Sequence, residues 1–193
     1  MRSDMKDRLR DSDIRDDLCL YLEEAYGKVR FFDELVIGKA RADIVMVTED
    51  GICGIEIKSD ADTYARLKRQ VRYYNKFFDR NILVVGSTHA SHAEEHVPKH
   101  WGIISAEMIG GRMDFYELRA PQPSPRVTLK NQLGLLWRRE LSGIQELNGL
   151  HKYAGKRRDF VEEYILSSVP EEELKKQVLD VLFERDYTIF EEK

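Results

Sequence analysis

Residues 41–58 read Arg41-Ala-Asp43-Ile-Val-Met-Val-Thr-Glu-Asp50-Gly51-Ile-Cys-Gly-Ile-Glu56-Ile-Lys58. Two β-branched runs flank Asp-Gly, a strong short-range signal for a tight β-turn. With Asp50 and Gly51 as a two-residue loop, Glu49 pairs with Ile52 and Asp43 falls opposite Lys58. Side chains two apart share a strand face, so Glu56 lies diagonally beside Asp43 on that face. The other face carries Ile44, Met46, Cys53, Ile55 and Ile57. The pattern predicts a sheet with one face in a core and three charges on the other, at the strand end away from the turn. A three-residue loop would instead set Ile57 opposite Asp43 and separate the charges.

Two carboxylates on neighbouring strands, completed by water and phosphate oxygens, suit Mg²⁺, which takes six oxygens and keeps part of its water shell. Such a metal lowers the pKa of a bound water and stabilises charge developing on a phosphate, while Lys58 neutralises or orients the attacking hydroxide. Glu-x-Lys is also a common chance pattern, and cross-strand Glu and Lys usually form a solvated pair worth little. Spacing alone leaves both readings open.

The rest of the chain supplies the frame. Ile14, Leu18, Tyr21, Leu22 and Ala25 recur at helical spacing, which predicts a helix over 12–26 closed by Gly27. Val29 to Ile37, followed by Gly38, reads as a first strand, and the hairpin supplies the second and third. Asp62 or Thr63 then caps a helix to about Phe78, with Tyr64, Leu67, Val71, Tyr74 and Phe78 as its apolar stripe. Ile82 to Val85 before Gly86 is a short buried strand, with further strand character at 101–104 and 114–118. The order α-β-β-β-α-β implies an α/β fold with a mixed sheet and helices on its faces. Prolines 121, 123 and 125 suggest a stiff linker over 120–126 between a core at 1–119 and a helical extension at 127–193. In that extension Leu129, Leu133, Leu136, Trp137 and Leu141 form one stripe, Phe160 to Ser168 a second, and Pro170 opens a third helix. Such helices more often pack on a core or pair subunits than bind a ligand.

Asp43, Glu56-Ile57-Lys58 and the following helix resemble the PD-(D/E)XK nuclease superfamily, with Ala42 in place of the motif's proline. The thirteen-residue separation of Asp43 and Glu56 is similar to that of archaeal Holliday-junction resolvases. Asp13-Ile14-Arg15, Arg41-Ala42-Asp43, Glu56-Ile57-Lys58-Ser59-Asp60, Asp62-Thr63, Arg66-Leu67, Gln70 and Trp101-Gly102 look like a bacterial group of small proteins placed in that superfamily. The likeness covers most of 11–107 and, more weakly, Leu136-Trp137-Arg138. It implies a restriction-endonuclease-like αβββαβ core and a metal-dependent nuclease. The superfamily also includes members that keep the fold and have lost cleavage.

Between Asp62 and Arg80, six basic residues stand against two acidic ones inside a chain of net charge −4, so any nucleic-acid contact must be local. Lys68, Arg72 and Lys76 suit a solvated helix face. Arg66 and Gln70, one turn apart, flank the apolar stripe and should lean toward the carboxylates; the resemblance also implies a glutamine at the active-site edge. Arg66 and Arg69 are the expected phosphate contacts. For a further acid the likeness favours Glu23 or Glu24 at the end of the first helix, and nearness in the sheet favours Glu34. Arg138 and Arg139 are candidates for clamping substrate, with a solvated role the blander expectation. His89, His92, His96 and His100 are spaced at three, four and four, but Pro98 interrupts them and no glutamate directly follows His92, so a zinc-peptidase motif is not formed.

A chain of 193 residues, 42% hydrophobic and 34% charged, has the make-up of a globular protein. It has no apolar run long enough to span a bilayer and no signal-peptide core at its start, so a cytoplasmic protein without membrane contact is expected. Cys19 and Cys53 fall in apolar patterns and should be buried thiols. The expectation is a nuclease hydrolysing phosphodiesters, in DNA rather than RNA, with Mg²⁺ as cofactor and Mn²⁺ able to substitute. Asp43, Glu56, Lys58 and Gln70 would be catalytic, and Asp43, Glu56 and the Ile57 carbonyl would hold the metal, joined by Glu24 or Glu34. The alternative is a non-cleaving module on the same scaffold that binds nucleic acid or a protein partner, or pairs as a homodimer through the C-terminal helices.

Overall fold

A computed structural model describes residues 10–186; the outer ends of the expected core and extension, 1–9 and 187–193, lie outside the described residues. Helix α1 (Asp11–Tyr26) is followed by strands β1 (Arg30–Ile37), β2 (Ala40–Thr48) and β3 (Gly51–Lys58). A 3₁₀ turn (Tyr64–Arg66) leads into α2 (Leu67–Phe77) and β4 (Arg80–Gly86), completing the α-β-β-β-α-β order. Next come a second 3₁₀ turn (Ala90–His92), α3 (Ala93–His96), β5 (Gly102–Ile109), β6 (Arg112–Arg119), α4 (Leu129–Leu133), α5 (Arg138–Leu147), α6 (Arg158–Ser168) and α7 (Glu171–Phe183). The six strands form one mixed sheet in the order β1-β2-β3-β4-β5-β6. The β3–β4 and β4–β5 pairs are parallel and the others antiparallel.

The β2–β3 register differs from the expected one by two residues. Thr48 pairs with Gly51 and Ile44 with Ile55, so Glu49-Asp50 is the turn. Gly51 is drawn into the strand by Asp79, which accepts from Ile52 N at 2.9 Å and donates its own N–H to Ile52 O at 2.8 Å. A Cβ on Gly51 would stand 2.8 Å from the Asp79 carboxylate, so glycine serves the close approach and not the turn. The slip is even, so every side chain stays on its expected face. Asp43 now falls opposite Glu56 and not Lys58.

Both faces of the sheet are covered by helices, as the element order implies. Ile14, Leu18 and Leu22, one turn apart on α1, cover Ile44, Met46, Ile55, Ile57, Ile82 and Val84. Each such fully buried aliphatic side chain contributes about 1.5–3 kcal/mol. The opposite face, with Val45, Val47, Ile52, Leu83 and Val85, packs against α2 and then against leucines and valines of α4 to α7 in one continuous core. Most of the apolar stripe of the C-terminal helices is thus used within the chain. Among the described residues Leu147 and Phe160 stay exposed there.

The proline segment is fastened to the core and does not act as a free spacer. Ser124 N donates to Asp79 O at 2.7 Å, Ser124 Oγ to Asn75 O at 2.9 Å and Gln122 N to His100 O at 2.8 Å. The stripe at 129–141 is two helices and not one, broken by tight turns in which Leu135 N donates to Gln132 O and Leu136 N to Leu133 O. Cys19 and Cys53 are free thiols, Cys53 buried. No helix among the described residues is long and apolar enough to cross a membrane.

Candidate active site

Strand β3 ends, and β2 begins, at a cleft of about 480 Å³ lined by Asp43, Ile57, Lys58, Gln70, Arg66 and Arg69, with Asp11, Lys39, Arg41, Asp62 and Thr63 around them. β2 and β3 bring Asp43 and Glu56 side by side. The N-terminal turns of α2 lay Arg66, Arg69 and Gln70 over them, and the β1–β2 turn closes the rim with Lys39 and Arg41. That turn sits flush on α2: a Cβ on Gly38, at φ 63°, would come 2.8 Å from the Tyr73 ring.

Glu56 is fully buried. Its Oε1 accepts from Lys58 Nζ and from Gln70 Nε2, and its Oε2 accepts from the Tyr74 hydroxyl at 2.7 Å. Burial, followed by repulsion from Asp43, pushes the Glu56 carboxyl up to about 7 against the opposing pull of Lys58 and the Tyr74 bond. Asp43 is half-buried, with Oδ2 accepting from Ile57 N at 2.9 Å. Burial raises its pKa despite that bond and Lys58. Tyr74 is held well above the ordinary tyrosine value by burial and by the Glu56 and Asp43 charges, so its hydroxyl keeps its proton. Two carboxyls close together, both biased toward neutrality by burial, are an arrangement that a cation would relieve.

Asp43, Glu56, Lys58 and Gln70 are therefore together, the Ile57 backbone lies beside them, and Arg66 and Arg69 reach the rim, where Arg69 donates to Lys39 O at 3.1 Å. The further acids expected from sequence are not there. Glu24 lines a separate groove with Asp17, Tyr21 and Asp114, and Glu34 is exposed in an ion pair of 3.0 Å with Arg41. Glu23, one residue from Glu24 near the end of α1, gives its carbonyl to Gly27 N. The helix runs with its N-terminus, not its C-terminus, toward the cleft, so Asp11 is the acid that α1 supplies. Its Oδ2 pairs with Arg15 at 2.7 Å, while its Oδ1 is buried without a hydrogen-bond partner. Arg15 in turn donates to Asp43 O at 2.7 Å, tying α1 to the site. Only the i, i+4 spacing of Asp11 and Arg15 hinted at this. Arg138 and Arg139 donate instead to the carbonyls of Tyr153 and Asp186. His89 and His96 pack on the Tyr64 ring, and His100 bonds to Asn75.

The oxygens nearest a metal here are those of the Asp43 and Glu56 carboxylates; Asp11 Oδ1 and Gln70 Oε1, both buried without a hydrogen-bond partner, belong to residues that line the same cleft. Among the described residues no group of three or more His, Cys, Asp or Glu is placed to hold a metal ion, so the protein offers at most the Asp43–Glu56 pair. A cation here would complete its shell with water and substrate oxygens, which fits Mg²⁺ and not a thiolate- or imidazole-bound metal.

Neither the curated proteins nor the solved structures yielded a match to the chain. The family model described as bacteriophage P4 protein cII matches residues 5–191, nearly its whole length. The chain belongs to the bacteriophage P4 protein cII family.

Proposed function

We propose that the protein is a Mg²⁺-dependent nuclease of the PD-(D/E)XK type, acting on DNA in the cytoplasm, with Mn²⁺ able to replace Mg²⁺. The observation that carries this reading is the convergence of Asp43, Lys58 and Gln70 at one cleft rimmed by Lys39, Arg41, Arg66 and Arg69, with Glu56 buried directly behind them and bonded to Lys58 and Gln70. Asp43 and Glu56 would hold the metal, beside the Ile57 carbonyl, with Asp11 on the same cleft wall. When bound, the metal supplies a water of lowered pKa and neutralises charge on the scissile phosphate. The chain's own groups do the rest. Arg66 and Arg69 hold phosphates in register without reading bases. Lys58, released from Glu56 Oε1, orients and neutralises the attacking hydroxide, and Gln70 steadies the same carboxylate from above.

A second reading draws on the tight closure of Glu56 by Lys58, Gln70 and Tyr74: a module that has kept the fold and binds nucleic acid or a protein partner without cleaving. A cleavage screen on single-stranded, duplex and branched DNA with Mg²⁺ or Mn²⁺ separates the two. The nuclease reading expects cleavage that Asp43→Asn abolishes together with metal binding, and that Lys58→Ala abolishes while metal affinity stays near wild type, because Lys58 acts in the transition state. No cutting of any substrate with either metal would leave the binding module.

A further inference from the structure

Ile44 and Ile55 are the last backbone pair of β2 and β3 on the cleft side. Asp43 N–H donates to the Tyr74 hydroxyl at 3.2 Å, the same hydroxyl lies 3.2 Å from Ile55 O, and Ile57 N–H donates to Asp43 Oδ2 at 2.9 Å. A side-chain hydroxyl and a side-chain carboxylate stand where ladder bonds would otherwise be, so the strands part with the Asp43 and Ile57 N–H groups still satisfied. The hydroxyl has one proton, and the shorter contact, 2.7 Å to Glu56 Oε2, shows where it is chiefly given.

The hydroxyl is held in place by its ring. Tyr74 is fully buried, with Phe78 edge-on at 5.2 Å and Trp101 at 5.3 Å between centroids. Beneath it β3 is bare at Gly54, where a Cβ would come 2.7 Å from Tyr74 Cδ1 and 2.1 Å from Phe78 Cδ2. Glycine here serves the approach of the two rings, and the rings set the depth at which α2 docks.

We propose that Tyr74 is the positioning residue of the Asp43–Glu56 pair: its hydroxyl, wedged between β2 and β3, anchors Glu56 through Oε2 and sets the separation of the two carboxylates, so that Oε1, which accepts from Lys58 Nζ and Gln70 Nε2, is the oxygen a divalent cation takes by displacing those donors. This rests on the metal-dependent reading above. Tyr74 touches neither substrate nor metal in this scheme; it acts through Glu56 and the Asp43 backbone. Outer partners that orient metal-binding carboxylates typically change affinity by about 10–100-fold when removed.

The test is Mn²⁺ titration of the full-length protein by calorimetry, with amide exchange at Asp43 followed by NMR. Tyr74→Phe keeps the ring and removes only the hydroxyl. The expected result is Mn²⁺ affinity weakened by about tenfold or more, together with faster exchange of the Asp43 amide. Phe77→Leu, on the same helix and away from the hydroxyl, should lower the melting temperature while keeping wild-type Mn²⁺ affinity. Equal weakening in Phe77→Leu would show affinity merely following stability and would overturn the proposal. Wild-type affinity in Tyr74→Phe, with Mn²⁺ binding still lost in Asp43→Asn, overturns the positioning role alone. Absence of Mn²⁺ binding by the wild-type protein overturns the metal-dependent reading itself, and this inference with it.

Discussion

Glu56→Gln should remove a pH dependence of stability that the wild-type protein shows in the absence of divalent metal. Glu56 is fully buried, and its carboxyl sits at about 7 in the folded protein against a reference of 4.5. The folded state therefore binds more protons than the unfolded state between these values, and stability falls as pH rises through that window. The shift corresponds to roughly 3 kcal/mol, fully present below the unfolded pKa and lost above about 7. The assay is urea denaturation in chelator at pH 5 and pH 8, comparing wild type with Glu56→Gln so that other titrating groups cancel. The wild-type protein should lose about 2–3 kcal/mol more than the variant between the two pH values. A metal that binds the ionised pair should return this stability at pH 8, by about 2.7 kcal/mol when its concentration is a hundred times its Kd. Parallel profiles for the two proteins would refute the burial argument. A normal difference with no return on adding Mg²⁺ would refute the cation's role.

Arg66→Ala or Arg69→Ala should weaken nucleic-acid binding and flatten its salt dependence by about one unit of slope for each phosphate no longer neutralised, read from binding isotherms across a salt series; Gln70→Ala, whose amide faces Glu56, should leave that slope unchanged. Gly54→Ala forces a methyl within 2.1 Å of the Phe78 ring and should cost about 3 kcal/mol or more in urea denaturation, since neither buried ring has room to retreat. Arg185→Met should cost about 3–5 kcal/mol by the same measurement, because it strands Glu140 after removing a buried bidentate partner at 2.6 and 2.8 Å. Pairing it with Glu140→Gln should recover part of that loss.

The fold was legible because its signals are local. The α1 stripe, the β-branched runs of β2 and β3, and the amphipathic α2 each announce their period within one element, and their order then restricts the topology. The β2–β3 register was not legible to the residue. Asp50-Gly51 is a strong turn signal, but Gly51 answers to Asp79, 28 positions along the chain, and a local rule cannot see that contact. The proline run misled for the same reason: Ser124 is claimed by Asn75 and Asp79 through hydrogen bonds between segments far apart in sequence.

The Asp43, Glu56 and Lys58 arrangement survived the register error through parity. A slip of two residues moves each side chain along its strand but never through the sheet, so residues with the same alternation remain on one face whichever of the two turns forms. What parity could not supply is depth. Alternation places these charges on one face but says nothing of how far each lies from water, and the structure sets α2 over them and encloses Glu56 completely. Enclosure is possible because an aromatic residue of the α2 stripe carries a hydroxyl at the level of the carboxylate. In a helical wheel Tyr74 is one more apolar position beside Leu67, Val71 and Phe78. Its second role depends on Gly54 being bare beneath the ring, a pairing across twenty residues that neither residue's own periodicity reveals.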